Sequence, residues 1–143
     1  MLGDDMVGQL AAFVRDERLD AAVVLTCVGS TGTTRLRPAG SRKVRVLEGK
    51  FEILSLTGTL GRHGHHLHLS VGDDACRVYG GHAVPGSTVR TTAEVAIGVL
   101  GGVSFRRFRD RRTGYDELSI EPHSAAAALC DDALPVAKRA KID

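Results

Sequence analysis

The apolar positions change their period early in the chain. Met6, Val7, Leu10, Phe13 and Val14 recur at helical spacing directly after Asp4 and Asp5. An acidic pair suits a helix start, where unpaired N–H groups and the helix dipole favour negative charge. This spacing predicts one amphipathic helix over residues 6–19. From Ala21 onward the pattern is β-like. Ala21–Val28 is a continuous apolar run ending at Gly29, the form of a buried strand. Further β-rich runs cover Lys43–Leu47, Phe51–Thr59, His65–Val71, Cys76–His82, Val89–Leu100, Val103–Arg109 and Glu117–Ile120, with glycines between them or at their margins, as turn residues should fall. The elements predict an α/β domain of the α+β type: one helix packed on a central, mainly antiparallel sheet. One short helix covers little of such a sheet, so a second layer of strands or another subunit is expected over the remaining apolar face.

Composition narrows this picture. A chain of 143 residues is enough for one ordinary domain, and 43% hydrophobic with 25% charged residues is globular composition. The formal charge of +2 is too small to imply a nucleic-acid partner by itself. The sequence contains no Asn, hence no N-glycosylation acceptor. No apolar run approaches the ~18 residues of a membrane span, so neither a transmembrane helix nor a secretory segment is expected. Cys27, Cys76 and Cys130 are an odd number without metal-type pairing, which fits a reduced, intracellular protein. After Pro122 no packing pattern is visible. Residues 1–121 are read as the domain and 122–143 as a flexible tail, closed by the basic segment Pro135–Asp143. That segment resembles a nuclear-import signal, so cytoplasm and nucleus both stand as locations.

Chemistry concentrates in the histidines. Five of six lie between positions 63 and 82. In His65–Val71 the alternation has period two, so His66, His68 and Ser70 share one strand face while Leu67, Leu69 and Val71 share the other. With a three-residue turn at Gly72-Asp73-Asp74, Val71 pairs with Ala75, and His82 falls opposite Gly64 on the face of His66 and His68. A two-residue turn would instead send His82 to the opposite face. In the first register three imidazoles converge beside Gly80 and Gly81, which leave room above the sheet. Three neutral imidazoles suit Zn²⁺ or a similar divalent metal with a fourth position open.

Gly49-Lys50-Phe51-Glu52-Ile53-Leu54-Ser55-Leu56-Thr57-Gly58, followed by His66-Leu67-His68, Gly80-Gly81-His82 and Thr92-Ala93-Glu94-Val95, resembles the plants and prokaryotes conserved (PPC) domain over residues 5–121. The resemblance implies a compact domain on a central antiparallel sheet that assembles as a homotrimer. In plant members the segment corresponding to Gly49–Leu54 supports contacts with nuclear proteins, and a separate Arg-Gly-Arg-Pro core grips the DNA minor groove; no such core occurs here. The histidine pattern is similar to the prokaryotic branch. The fold is also similar to that of acetolactate decarboxylase, a zinc enzyme whose metal sits on three histidines, which implies His66, His68 and His82 as ligands. Glu94 matches a Glu of the family's Thr-x-Glu pattern. It is expected either to orient a ligand histidine or to act as an acid/base group beside bound water, its alternative role being a salt-bridged strand carboxylate.

Two other segments invite chemistry. Val28–Thr34 is glycine-rich and follows a strand, but it lacks a Gly-Lys-[Ser/Thr] ending and is read as a polar turn rather than a phosphate loop. Arg106–Arg112 is the densest basic patch, read as a solvated hairpin end rather than a nucleic-acid surface. The expected function is a metal-holding PPC homotrimer, with catalysis left open and metal-assisted chemistry on a small carbonyl or carboxylate compound as the mechanism if there is one. A non-enzymatic nuclear module contacting proteins or DNA is the alternative.

Overall fold

The computed structural model describes residues 2–123 and the backbone of residues 140–142. Helix α1 (Met6–Asp16) starts where the acidic pair places it: Asp5 is the N-cap, and its carboxylate accepts a hydrogen bond from the Val7 N–H at 3.2 Å. It ends three residues before the predicted boundary. Arg18 turns left-handed (φ +53°), and the Arg18 and Leu19 N–H groups bond back to the carbonyls of Arg15 and Val14. This pattern closes a helix and is usually announced by glycine; an arginine there gives no warning.

Eight strands follow among the described residues: β1 (Ala22–Arg37), β2 (Arg45–Gly61), β3 (Gly64–Gly72), β4 (Val78–Ala83), β5 (Val89–Val99), β6 (Val103–Arg109), β7 (Asp116–Pro122) and β8 (Ala140–Ile142). All pairings between these strands are antiparallel. Six strands run in the order β2-β3-β4-β1-β5-β8, and β1 also pairs with β2. Strands β1 to β4 therefore close on themselves, and β5 adds to the first half of β1. The closure does what a second layer or subunit was expected to do. Met6, Val7, Leu10 and Val14 of α1 share one core with strand residues such as Leu56, Leu60, Leu67, Leu69 and Val71. Outside the ring, Leu25, Val28, Leu54 and Val78 remain exposed. Strands β6 and β7 form a separate two-stranded sheet, anchored by buried Phe105, whose N–H bonds the Asp20 carbonyl at 3.0 Å.

The structure corrects the reading of Val28–Thr34. The segment is neither turn nor phosphate loop but the middle of the 16-residue β1. Ser30, Thr31 and Thr34 are buried and their hydroxyls are paired: that of Ser30 lies 2.5 Å from the Thr91 hydroxyl, and that of Thr31 2.6 Å from that of Thr34. Hydroxyls that satisfy one another can enter a core at little cost, and a composition rule for turns misses this. Gly29 is there because β5 presses on it; a Cβ would stand 2.1 Å from the Thr92 carbonyl oxygen. Likewise Lys43–Leu47 and Phe51–Thr59 merge into one 17-residue strand that passes through Gly49. Of the predicted tail, residues 124–139 and 143 lie outside the described residues, and with them Cys130 and most of the basic segment; Ala140–Ile142 pairs with β5. Among the described residues no helix is long and apolar enough to cross a membrane.

Candidate metal centre

The histidines reach one point because two neighbouring strands present them on one face. In the β3–β4 hairpin His68 is the direct partner of His82, and His66 lies two residues along β3 on the same side. The register is displaced by four residues from the predicted one. The turn is five residues long, Asp73–Arg77, because Asp73 builds it: its carboxylate accepts from the Ala75 and Arg77 N–H groups at 2.9 Å and pairs with the Arg77 guanidinium at 2.7 Å. Cys76 takes the left-handed position (φ +59°) where glycine would be the usual sign. An even displacement keeps every side chain on its face, so the predicted convergence survives a wrong turn length.

The pairings extend into a row across four strands: Thr57 on β2, His68 on β3, His82 on β4 and Arg37 on β1 are successive register partners. A second row pairs Thr59 with His66. At that level β2 approaches β3 closely, and a Cβ on Gly58 would stand 1.9 Å from the His66 carbonyl oxygen. Gly58 thus sets the height of the His66 backbone.

One ring nitrogen from each of His66, His68 and His82 lies within 4.8 Å of the other two. His66 Nε2 and His68 Nε2 are 3.3 Å apart, which is about the separation of two ligands on a tetrahedral ion with Zn–N of about 2.0–2.1 Å. His82 Nδ1 is buried without a hydrogen-bond partner among the described residues. The rings must also be neutral to offer lone pairs. Burial, then the neighbouring His68, Arg107 and Arg37 charges, holds His66 below the ordinary imidazole range. Burial first and Arg37 second bring His82 down to about 4. Distances, an unsatisfied ring nitrogen and the lowered pKa values of His66 and His82 all fit a divalent metal.

A cavity of about 610 Å³ opens over the triad, walled by Arg37 on one side and by Arg107, Tyr115 and Glu117 of the β6–β7 hairpin on the other, with Gly80 and Gly81 on its floor. Glu94 is not among its walls. It pairs with Val28 of β1, whereas His82 pairs with Arg37 of the same strand, roughly 30 Å of strand away at about 3.3 Å per residue. Within one chain the fold does not bring Glu94 to the histidines. The carboxylates that line the cavity are Asp116 and Glu117, of which Glu117 accepts a hydrogen bond from the Thr113 hydroxyl at 2.7 Å. Sequence reasoning missed Glu117 and Arg37, and it took Arg107 as part of a solvated basic patch. The only sign available for Arg37 was its place on a strand whose register could not be read.

The family model of the Plants and Prokaryotes Conserved (PCC) domain matches residues 2–101. The chain belongs to this family. Among solved structures, a hypothetical protein from Salmonella enterica is 44% identical, with a TM-score of 0.84 over 87% of this chain and 90% of that one. A metal-containing protein from Archaeoglobus fulgidus is 26% identical, with a TM-score of 0.73 over 83% of this chain and 88% of that one. Among curated proteins, the bifunctional protein GlmU of Synechococcus sp. (strain JA-3-3Ab) is 41% identical over 119 residues, 83% of this chain. The PCC chain described here spans 19% of that relative's length.

Proposed function

We propose that this PCC domain holds a divalent metal, zinc by the chemistry of its donors, through His66, His68 and His82. The observation that carries the reading is the meeting of three imidazole ring nitrogens within 4.8 Å; the metal-containing relative from Archaeoglobus fulgidus supports it. A metal bound there supplies Lewis acidity toward an oxygen ligand in the cavity. The chain's own residues do the rest: the two register rows orient the rings, burial aided by the Arg37 charge keeps His66 and His82 unprotonated, and Glu117 stands at the cavity wall as the candidate proton acceptor. Metal analysis of the purified protein should find about one ion per chain, and His66→Ala or His68→Ala should bring it near zero. Unchanged metal content in both variants would reject the site.

Assembly as a homotrimer belongs to the same proposal. Leu25, Val28, Leu54 and Val78, exposed outside the closed ring, are the apolar surface it would cover. The mass of the native particle tests it, and a monomer at micromolar concentration would refute it.

The alternative role, contact with proteins or nucleic acid through Gly49–Leu54 and Arg106–Arg112, draws less support. Phe51 and Ile53 point into the core. In the basic patch Arg106, Arg109 and Arg112 lie within 4 Å of Glu121, Asp116 and Asp110, and Arg107 is turned toward Thr59. A duplex-DNA shift at low salt that vanishes as salt rises would revive this role.

A further inference from the structure

We infer that the triad cavity is built to take a small organic oxyanion, a compound with a carboxylate or phosphate group, and that Arg37 and Arg107 are the residues that select it. The inference rests on the metal reading above and deepens it.

The two guanidiniums reach the cavity from independent directions. Arg37 is the last residue of β1 and the neighbour of His82 in the four-strand row, so its side chain leaves the sheet on the same face as the histidines. Its guanidinium carbon lies 5.8 Å from the centroid of the Tyr115 ring, a contact that steadies the group without using its N–H donors. Arg107 comes from β6, a different sheet, and donates from Nη2 to the Thr59 hydroxyl at 2.7 Å. Thr59 is the register partner of His66. The triad is therefore bracketed, with one guanidinium beside His82 and the other above His66. Among the described residues neither arginine forms an ion pair, in contrast to Arg106, Arg109 and Arg112 of the same hairpin. Two half-buried guanidiniums, each held by a neutral neighbour and each with unused donors, form a fork for a planar or tetrahedral oxyanion.

Charge sets the order of binding. Asp116, paired with Arg109, and Glu117 also line the cavity, so without a metal acidic groups offset part of the guanidinium charge. A bound divalent ion tips the cavity positive. An ion held by His66, His68 and His82 would add its charge to that of the two guanidiniums, so anion affinity would depend on metal.

The test uses the full-length protein, metal-free and zinc-loaded, titrated calorimetrically with acetate, malonate, inorganic phosphate and the neutral acetamide. Zinc-loaded protein should bind at least one of the anions about tenfold or more tightly than metal-free protein does, and acetamide should not bind. The preferred anion identifies the group as carboxylate or phosphate. Arg37→Gln and Arg107→Gln should keep the wild-type zinc content yet weaken the preferred anion about tenfold each, while Arg37→Lys should recover part of the loss. Wild-type protein that takes no zinc defeats the metal reading and this inference together. Zinc-loaded protein that binds acetamide as well as the anions, or arginine variants that bind anions unchanged, defeats the inference alone. Arginine variants that lose zinc also overturn it, because the side chains would then be supports of the metal site.

Discussion

The β3–β4 and β6–β7 hairpins line one cavity but are held in different ways. Strands β3 and β4 are flanked by β2 and β1, and Leu67, Leu69 and Val71 anchor their inner face in the core. Every histidine of the triad thus stands on backbone bonded to neighbouring strands. Among the described residues strands β6 and β7 pair only with each other; Phe105 is buried, but Phe108, Tyr115 and Ile120 are more than half exposed. The first hairpin is suited to holding ligands within a few tenths of an ångström, as a metal requires. The second carries Arg107, Glu117 and Tyr115, held by the Thr59 hydroxyl, the Thr113 hydroxyl and the Arg37 guanidinium respectively, single contacts that leave the wall free to adjust. Rigid ligands and an adaptable wall are thereby divided between two sheets.

The comparison can be broken most forcefully at Gly58. Gly58→Val puts side-chain carbon where the His66 carbonyl oxygen already is, so the β2–β3 pairing must open. The expected loss is more than about 3 kcal/mol of stability, seen as a large drop in Tm together with loss of metal. Ile120→Ser on the second hairpin should stay within about 0.5 kcal/mol. If both variants unfold alike, the two hairpins are not distinct in rigidity.

The next effect is that of the metal. Free zinc at one hundred times its Kd should stabilise the native protein by about 2.7 kcal/mol, and His68→Ala should remove this response while Tyr115→Ala keeps it. An equal response in all three proteins would mean that zinc acts elsewhere.

A smaller effect concerns pH in metal-free protein. His82 has a folded value near 4 against an ordinary 6.5, and His66 is shifted the same way. Between those values the unfolded chain binds protons that the folded hairpin refuses. The contribution is therefore fully present above pH 6.5 and declines as the pH falls toward 4. Urea midpoints at pH 7 and pH 5 measure it; His82→Gln should flatten the dependence, and a midpoint that rises on acidification would contradict it. Smallest of all, Tyr115→Ala should leave stability and zinc content alone and weaken anion binding only about threefold, since it loosens Arg37 without removing it.

How much was legible before folding can be judged at particular residues. Asp5 announced its helix because an N-cap is a local device, and the alternation of His66 and His68 with Leu67 and Leu69 announced a two-faced strand. The convergence with His82 was readable only in parity. Asp73 and Cys76 fix the turn length through bonds no composition rule records, yet any even shift preserves the face. Glu94 shows the opposite limit: its separation from the triad within one chain depends on which strand lies beside which, a property of the closed ring.

By itself the sequence determined the local order of this protein: one capped helix, a series of alternating strands, and a histidine-bearing face, all of which follow from neighbours a few residues apart. Only the tertiary structure decided that β1 runs unbroken through its glycines, that the strands close into a ring, and that Arg37 and Arg107 flank the triad. Those outcomes depend on pairing between residues far apart in the chain, where buried hydroxyls satisfy one another and a backbone approach leaves room for no Cβ. Local pattern carries no record of such partners.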